Sequence, residues 1–265
     1  MNLCVAGACG RMGRRILELA AASDDITIVG ALEAVSFAGT EIICGGESGK
    51  TIRLSVTDDA VVALKEAQVL VDFSTPEACI RNVQLAAERN IAAVVGTTGI
   101  PEAGHQALKS YAKRIPIVFA PNMSVGMNLL FKLVKEAAAV LGLDYNVEIV
   151  EIHHNQKKDS PSGSAIRLAE NAAAALGVSY TENCVHGRQG IVGARPKKEL
   201  GMHAVRGGDV TGDHTVLFLG KGERLELTHR AHSRDTFASG ALRAARFVLT
   251  ASPGLYDMQD VLGLR

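Results

Sequence analysis

The first 120 residues alternate short apolar, β-branched runs with stretches of helical spacing, and few folds accommodate that alternation. Residues 2–6, 26–32, 69–73, 91–95 and 115–119 read as strands. Between them, residues 11–22, 58–66 and 76–89 read as helices, and Pro101 starts another; Ser74-Thr75-Pro76 is a good helix start, with proline at the first position. Strands apolar on both faces, each followed by a crossover helix, predict a parallel sheet covered on both sides, an α/β architecture.

The first crossover carries GACGRMG, residues 7–13. In that setting Gly7 permits the tight turn, Gly10 lets backbone approach a pyrophosphate, and Gly13 permits close packing of helix on strand. The helix N-terminus would face the phosphates, and Arg11 could add a charge-assisted contact. Glu33 ends the next strand, where a carboxylate meets the adenosine ribose hydroxyls of a bound dinucleotide. The spacing is G-x-x-G-x-x-G, so the βαβ context carries the reading more than the pattern does. The plainer alternative for Glu33 is a surface carboxylate after a strand. Loops at the carboxyl ends of such strands line the ligand crevice. Gly96-Thr97-Thr98 and Ala120-Pro121-Asn122-Met123 are therefore candidates for the nicotinamide end, and equally candidates for ordinary turns.

Residues 37–54 are glycine-rich and read as irregular or a short hairpin. A long helix over 124–141 leads into a second domain. It is followed by a strand over 147–152, a helix after Pro161, and a long loop over 187–198. Residues 202–205, 214–219 and 224–231 read as antiparallel strands with glycine turns between them. A helix from Arg234 to about 250 returns to the first domain; Arg234 itself reads as a surface arginine, with reach into the site as the alternative. The ending at 254–258 reads as a turn and a short terminal segment. The expected division is 1–124 plus 235–265 for a Rossmann-type dinucleotide-binding domain. Residues 125–234 form an α+β domain with an open, mixed or mostly antiparallel sheet. An open sheet needs a cover, and sheet-to-sheet packing in an oligomer supplies one.

Residues 151–165, EIHHNQKKDSPSGSA, concentrate chemistry at a strand–loop–helix junction. His153 and His154 are imidazoles that can give or take a proton. Lys157 and Lys158 are mobile positive charges. The amides around Gly163 and Ser164 form an anion site at a helix start capped by Ser162 or Ser164, and Gly163 lets a ligand approach the backbone. A small carboxylate protonated during reaction suits this set. A solvated basic loop with one histidine packed in the core is the competing reading of the loop alone.

Composition removes other classes. Formal net charge is zero, and the chain has no tryptophan and 4% aromatic residues, which disfavours nucleic acid and anionic membranes as partners. The five cysteines are odd in number and widely spaced, with no C-x-x-C pair. That argues against disulfides and structural zinc, and for a reducing compartment. No metal ligand set is read. The first strand starts at Asn2, no targeting peptide is visible, and no apolar run spans a bilayer, so a cytoplasmic location is expected.

GACGRMG at Gly7, VVGTTG at Val94, FAPNMS at Phe119 and EIHHNQKKDSPSGSA at Glu151 together resemble the 4-hydroxy-tetrahydrodipicolinate reductases of lysine and diaminopimelate biosynthesis. The likeness extends through RGGDVTGDHTVLF from Arg206 to GLYDMQDVL near the end. It implies NADH- or NADPH-dependent reduction of a dihydropyridine-type dicarboxylate, formed from the hydroxylated precursor by loss of water, to tetrahydrodipicolinate. It also implies a homotetramer joined through the second-domain sheet. Matched by motif, His153 is the catalytic acid and Lys157 supports it. His154, Lys157, Gly163 and Ser164 hold the substrate carboxylates. The cofactor falls on Gly7, Ala8, Cys9, Gly10, Arg11, Met12, Glu33, Gly96, Thr97, Thr98, Ala120, Pro121, Asn122 and Met123. Two positions depart from common relatives. Ala34 stands where a basic residue can meet a 2′-phosphate, so NADH is expected to be used at least as well as NADPH. Ser164 stands where threonine is common, and a hydroxyl remains. The H-H-x-x-K-K-D-x-P-S-G loop speaks against an aspartate-family dehydrogenase, and a non-catalytic dinucleotide sensor would not need paired histidines.

Overall fold

The computed structural model describes residues 1–45 and 51–265; residues 46–50, part of the stretch expected to be irregular or a hairpin, lie outside the described residues. In chain order the elements are β1 (Asn2–Ala6), α1 (Arg11–Ala21), β2 (Thr27–Leu32), β3 (Glu41–Cys44), β4 (Ile52–Ser55), α2 (Ala60–Ala63), β5 (Val69–Asp72), α3 (Pro76–Glu88), β6 (Ala92–Val95), α4 (Glu102–Tyr111) and β7 (Pro116–Phe119). Then come α5 (Val125–Leu141), β8 (Asn146–His153), α6 (Gly163–Leu176), α7 (Tyr180–Asn183), β9 (Cys184–His186), β10 (Leu200–Arg206), β11 (Gly212–Leu219) and β12 (Arg224–Ala231). The chain ends with α8 (Asp235–Val248), β13 (Gly254–Tyr256) and α9 (Met258–Leu262). Two compact units result: Met1–Val125 with Arg234–Arg265, and Gly126–Ser233.

The first unit is built on a parallel sheet in the order β13-β7-β6-β5-β1-β2. Successive side chains of a strand face opposite ways, and here both sets are buried. Leu3, Val5, Val69, Val71 and Val94 pack with Ile16 and Leu17 of α1 and with Ala238, Ala241 and Leu242 of α8. Cys4, Ala6, Leu70, Ala93 and Val95 pack with Cys79 and Val83 of α3 and Leu108 of α4. Thr75 caps α3, its hydroxyl accepting from the Ala78 N–H, and Pro76 occupies the first turn, where a missing N–H costs nothing. The predicted helix over 58–66 is shorter than expected. Asp59 caps a single turn, α2, and the chain leaves helix at Leu64. The segment at 254–256 is a sixth strand, β13, paired parallel with β7. The flanks of the glycine-rich stretch pair as an antiparallel ribbon, β3 with β4.

The second unit holds a mixed sheet in the order β12-β11-β8-β10-β9. Residues 202–205, read as antiparallel, instead belong to β10, which runs parallel to β8 and β9. Parallel neighbours need a long return connection: α6 carries the chain back before β9, and the long loop over 187–198 carries it back again before β10. β11 then pairs antiparallel on the other side of β8, and β12 follows as its hairpin partner. One face of this sheet, through Val147, Ile149, Met202, Val216 and Phe218, is covered by Leu130 and Val134 of α5 and by Leu168 and Ala172 of α6. Val150 and Ile152 of β8, Val205 of β10 and Leu217 of β11 alternate onto the other face and belong to no described core cluster. The long loop over 187–198 is tied to that face by Glu148. Its carboxylate accepts from Arg188 at 2.6 and 3.1 Å, Arg195 at 2.9 Å and His203 at 2.8 Å. Gly201 makes the room, since a Cβ there would lie 1.7 Å from a Glu148 oxygen. No helix of the described residues is long and apolar enough to cross a membrane.

Candidate active site

β8 delivers His153 as its last residue, so the loop begins where the ladder stops holding the backbone. The loop is pinned by main-chain bonds to the β10–β11 connection: His154 N–H to Val210 O at 2.8 Å, Asn155 N–H to Gly208 O at 3.2 Å, and Gly207 N–H to His153 O at 3.0 Å. His154 is half-buried, and its Nδ1 accepts the Gln156 N–H at 3.2 Å. The Lys157 ammonium pairs with Asp159 at 2.9 Å. Burial alone would raise the Asp159 carboxyl, but the Lys157 hydrogen bond, a backbone hydrogen bond and the charges of Lys157 and Arg206 together outweigh it and hold the group below its usual range. The loop ends at Ser162, which caps α6: its hydroxyl accepts the Ala165 N–H at 3.1 Å. Gly163 is exposed and has open space where a side chain would stand, so the first turn of α6 presents its main chain to an anion. His153, His154, Lys157, Gly163 and Ser164 thus lie on one loop and its helix start, all within the second unit.

Sequence reasoning singled out neither Glu151, Arg206 nor His214. Glu151 is fully buried, two residues before His153 on the same face of β8. Its Oε2 lies 2.5 Å from Nδ1 of His153. Arg206 grips the same carboxylate with both ends of its fork, 2.8 Å to each oxygen, and also donates to the Asp159 carbonyl of the loop at 2.8 Å. The Ser162 N–H adds a third donor at 3.1 Å. Burial on its own would push Glu151 up; the donors from His153, Arg206 and Ser162 prevail and bring it down to about 2. The i, i+2 spacing of an acid and a histidine in one strand was the available signal. His153 is itself buried, and a Cβ on Gly212 would sit 3.0 Å from its Nε2, so glycine at that position keeps the outer ring nitrogen clear.

His214 stands edge-on to His153, ring centroids 5.2 Å apart, with its Nε2 3.0 Å from the Ser162 hydroxyl. Among the described residues its buried Nδ1 has no hydrogen-bond partner. Burial, and then the neighbouring His153, lower His214 from 6.5 to about 3. The unfolded chain therefore binds a proton there below about 6.5 while the folded chain does not. Folded-state stability falls as pH drops, by about 1.4 kcal/mol per pH unit for one such group. Glu151 and Glu148, both lowered from 4.5 to about 2, withdraw their contribution only below 4.5. The expected result is a urea midpoint that declines between pH 6.5 and 4.5, and a shallower decline in His214→Phe. An identical slope in the two proteins would contradict the assignment.

In the first unit the glycine turn is shaped by steric necessity. Gly7 has φ +75°, and a Cβ there would lie 2.4 Å from the Phe73 carbonyl oxygen. A Cβ on Gly13 would lie 2.1 Å from the Gly7 oxygen, so α1 packs on the turn itself. α1 has no side-chain cap, Gly10 and Arg11 are exposed, and Arg11 has no ion pair among the described residues. Glu33 reaches back from the end of β2: its Oε2 accepts the Cys9 N–H at 3.0 Å and its Oε1 the Ala34 N–H at 2.9 Å. An open helix N-terminus beside a strand-end carboxylate fits a dinucleotide. The two further loops sit at the ends of β6 and β7. Asp72, fully buried at the end of β5, accepts from the Thr97 hydroxyl at 2.9 Å, the Ser74 hydroxyl at 2.7 Å and the Asn82 amide at 2.9 Å, which fixes the first loop. In the second, the Asn122 side chain accepts the Ser124 N–H at 2.9 Å. Ala8, Thr97, Ala120 and Met123 are buried, Cys9, Met12 and Asn122 are partly exposed, and Thr98 and Pro121 are exposed.

Comparison with known proteins gives matches over nearly all of the chain. The family described as dihydrodipicolinate reductase, N-terminus, matches residues 1–123, and that described as dihydrodipicolinate reductase, C-terminus, matches residues 126–262. A 4-hydroxy-tetrahydrodipicolinate reductase of an Anaeromyxobacter species is 50% identical over all of this chain and 98% of its own. One from Thiobacillus denitrificans is 49% identical over all of this chain and 99% of its own. Among solved structures, a dihydrodipicolinate reductase from a Paenisporosarcina species, with dipicolinate bound, has the same fold: TM-score 0.77, 23% identity, 98% of each chain covered.

Proposed function

The chain belongs to the dihydrodipicolinate reductase family, and from that premise we propose how its own residues perform the reaction. The reaction is the nicotinamide-dependent reduction of the cyclic dicarboxylate derived from 4-hydroxy-tetrahydrodipicolinate, in lysine and diaminopimelate biosynthesis. When bound, the reduced nicotinamide supplies the hydride. His153 then delivers a proton from Nε2 to the neighbouring ring carbon. Lys157 supports that step by placing positive charge beside the pocket. His154, Lys157 and the Gly163 and Ser164 amides hold the two carboxylates, one at the helix start and one on the loop cations. The observation that carries this reading is the convergence of an anchored histidine, a lysine and an open helix start on one loop.

The dinucleotide lies on the turn from Gly7 to Met12, with Glu33 on the adenosine ribose and the loops 96–98 and 120–123 toward the nicotinamide. Glu33 followed by exposed Ala34 offers hydrogen-bond acceptors and no cation. A 2′-phosphate would meet a carboxylate there, which favours NADH. In an assay coupled to the synthase that makes the precursor, loss of NADH absorbance is expected, with kcat/KM for NADH at least equal to that for NADPH. A protein that binds NADH without oxidising it would defeat the enzymatic role, and a strong NADPH preference would defeat only the cofactor assignment.

The chain assembles as a homotetramer through the open face of the second-unit sheet. Val150, Ile152, Val205 and Leu217 form an apolar patch there that sheet-to-sheet packing would cover.

A further inference from the structure

A catalytic imidazole with two equivalent ring nitrogens must be told which one gives the proton. The environment of His153 differs sharply between them. Nδ1 faces the fully buried carboxylate of Glu151 at 2.5 Å. Nε2 faces Gly212, where the absence of a side chain leaves it open. Glu151 has no freedom to swing away, because its oxygens also take the Arg206 fork at 2.8 Å each and the Ser162 N–H at 3.1 Å.

We propose that Glu151, locked by Arg206, is the positioning residue of the proton donor: it holds the Nδ1–H of His153 and leaves Nε2 as the atom from which the proton departs. This rests on the reading of His153 as the acid. In the step, the Nε2–H bond breaks and a C–H bond forms on the reduced ring. The electron pair stays on Nε2, and His153 passes from imidazolium to the neutral tautomer that keeps Nδ1–H. Glu151 remains a carboxylate and Arg206 a cation throughout, and water restores the Nε2 proton. An unanchored ring would lose its proton from Nδ1 as readily, away from the substrate, leaving a neutral imidazole whose Nε2–H is too weak an acid for the step; in the serine protease triad, losing the carboxylate that orients the ring costs about 10⁴ in kcat. Arg206 also holds the Asp159 carbonyl, so one guanidinium sets both the acid and the backbone of the loop that carries Lys157.

The test compares Glu151→Gln, His153→Ala and the double variant in the full-length enzyme, with Arg206→Lys as a milder probe. Glu151→Gln is expected to lower kcat about a hundredfold with KM for NADH and for the dicarboxylate within about twofold, and to raise the solvent deuterium isotope effect on kcat. In the His153→Ala background the same change is expected to cost less than about threefold more, because a residue that acts through another has nothing left to act on. Arg206→Lys keeps the charge and loses the fork, and about a tenfold loss in kcat is expected; this variant decides the matter if Glu151→Gln does not fold. The proposal is overturned if the folded Glu151→Gln enzyme keeps kcat within about threefold of the parent, or if the two losses simply add. If His153→Ala itself keeps nearly full turnover, the reading of His153 as the acid falls first. If His153→Ala collapses while Glu151→Gln does not, only the anchor falls.

Discussion

His153→Ala is expected to lower kcat by about 10²- to 10⁴-fold while the dissociation constant for NADH stays within about twofold. His153 lies in the second unit, on a strand whose next residues form the cationic loop, whereas the glycine turn and Glu33 are built wholly within the first. Removing the imidazole would take away the proposed proton source and leave the proposed dinucleotide site with every contact it had. Stopped-flow turnover and a fluorescence titration of NADH separate the two quantities. Unchanged turnover would exclude the acid role. A parallel loss of NADH binding would mean that the substitution had damaged more than the chemistry.

If the proposed homotetramer forms through the open sheet face, Leu217→Lys is expected to convert it into smaller species. Leu217 alternates onto the open face of β11, opposite the set that packs on α5 and α6. In a symmetric contact between sheets every copy brings the same patch, so the substitution appears four times in a tetramer. Each ammonium buried unpaired costs about 3 kcal/mol or more, enough to lower each association constant by about two orders of magnitude. Glu148 and Glu226 stand opposite Leu217 and offset part of that cost, whereas His203 and Thr215 stand opposite Val150 and do not. Light scattering reads the mass directly, and Val150→Lys provides a second probe on β8. If both proteins keep the four-chain mass, the sheet face is not the contact surface.

The parts of this molecule that were legible in its sequence are those whose physics is local. The apolar strands β1, β5, β6 and β7, the proline-led start of α3 and the glycine turn before α1 each declare themselves within a few residues. The parallel direction of β10 did not, because alternation records which face is buried and says nothing of strand polarity. β9 and β13 span three residues each, too few to show any period. At the site, the histidines and lysines cluster in fifteen residues and stand out. The anchor of His153 does not, since Arg206 is 55 residues from Glu151 and looks like a polar strand end until β10 is laid beside β8. His214 shares the buried face of β11 with Val216 and Phe218 by strand alternation, but nothing in the sequence sets it against Ser162. Glu33 was legible as a strand-end acid, but its bond to the Cys9 amide depends on β2 lying beside β1.

The second unit is an insertion, leaving the first at Val125 and giving the chain back at Arg234. During synthesis the sheet that will hold the dinucleotide therefore waits. Its outer strand β13 and the helix α8, whose alanines close one side of its core, are translated after the whole inserted sheet. A chain ending at residue 233 would contain every residue of the loop around His153 and of its anchors, while the nucleotide fold still lacked a wall that only α8 and β13 supply.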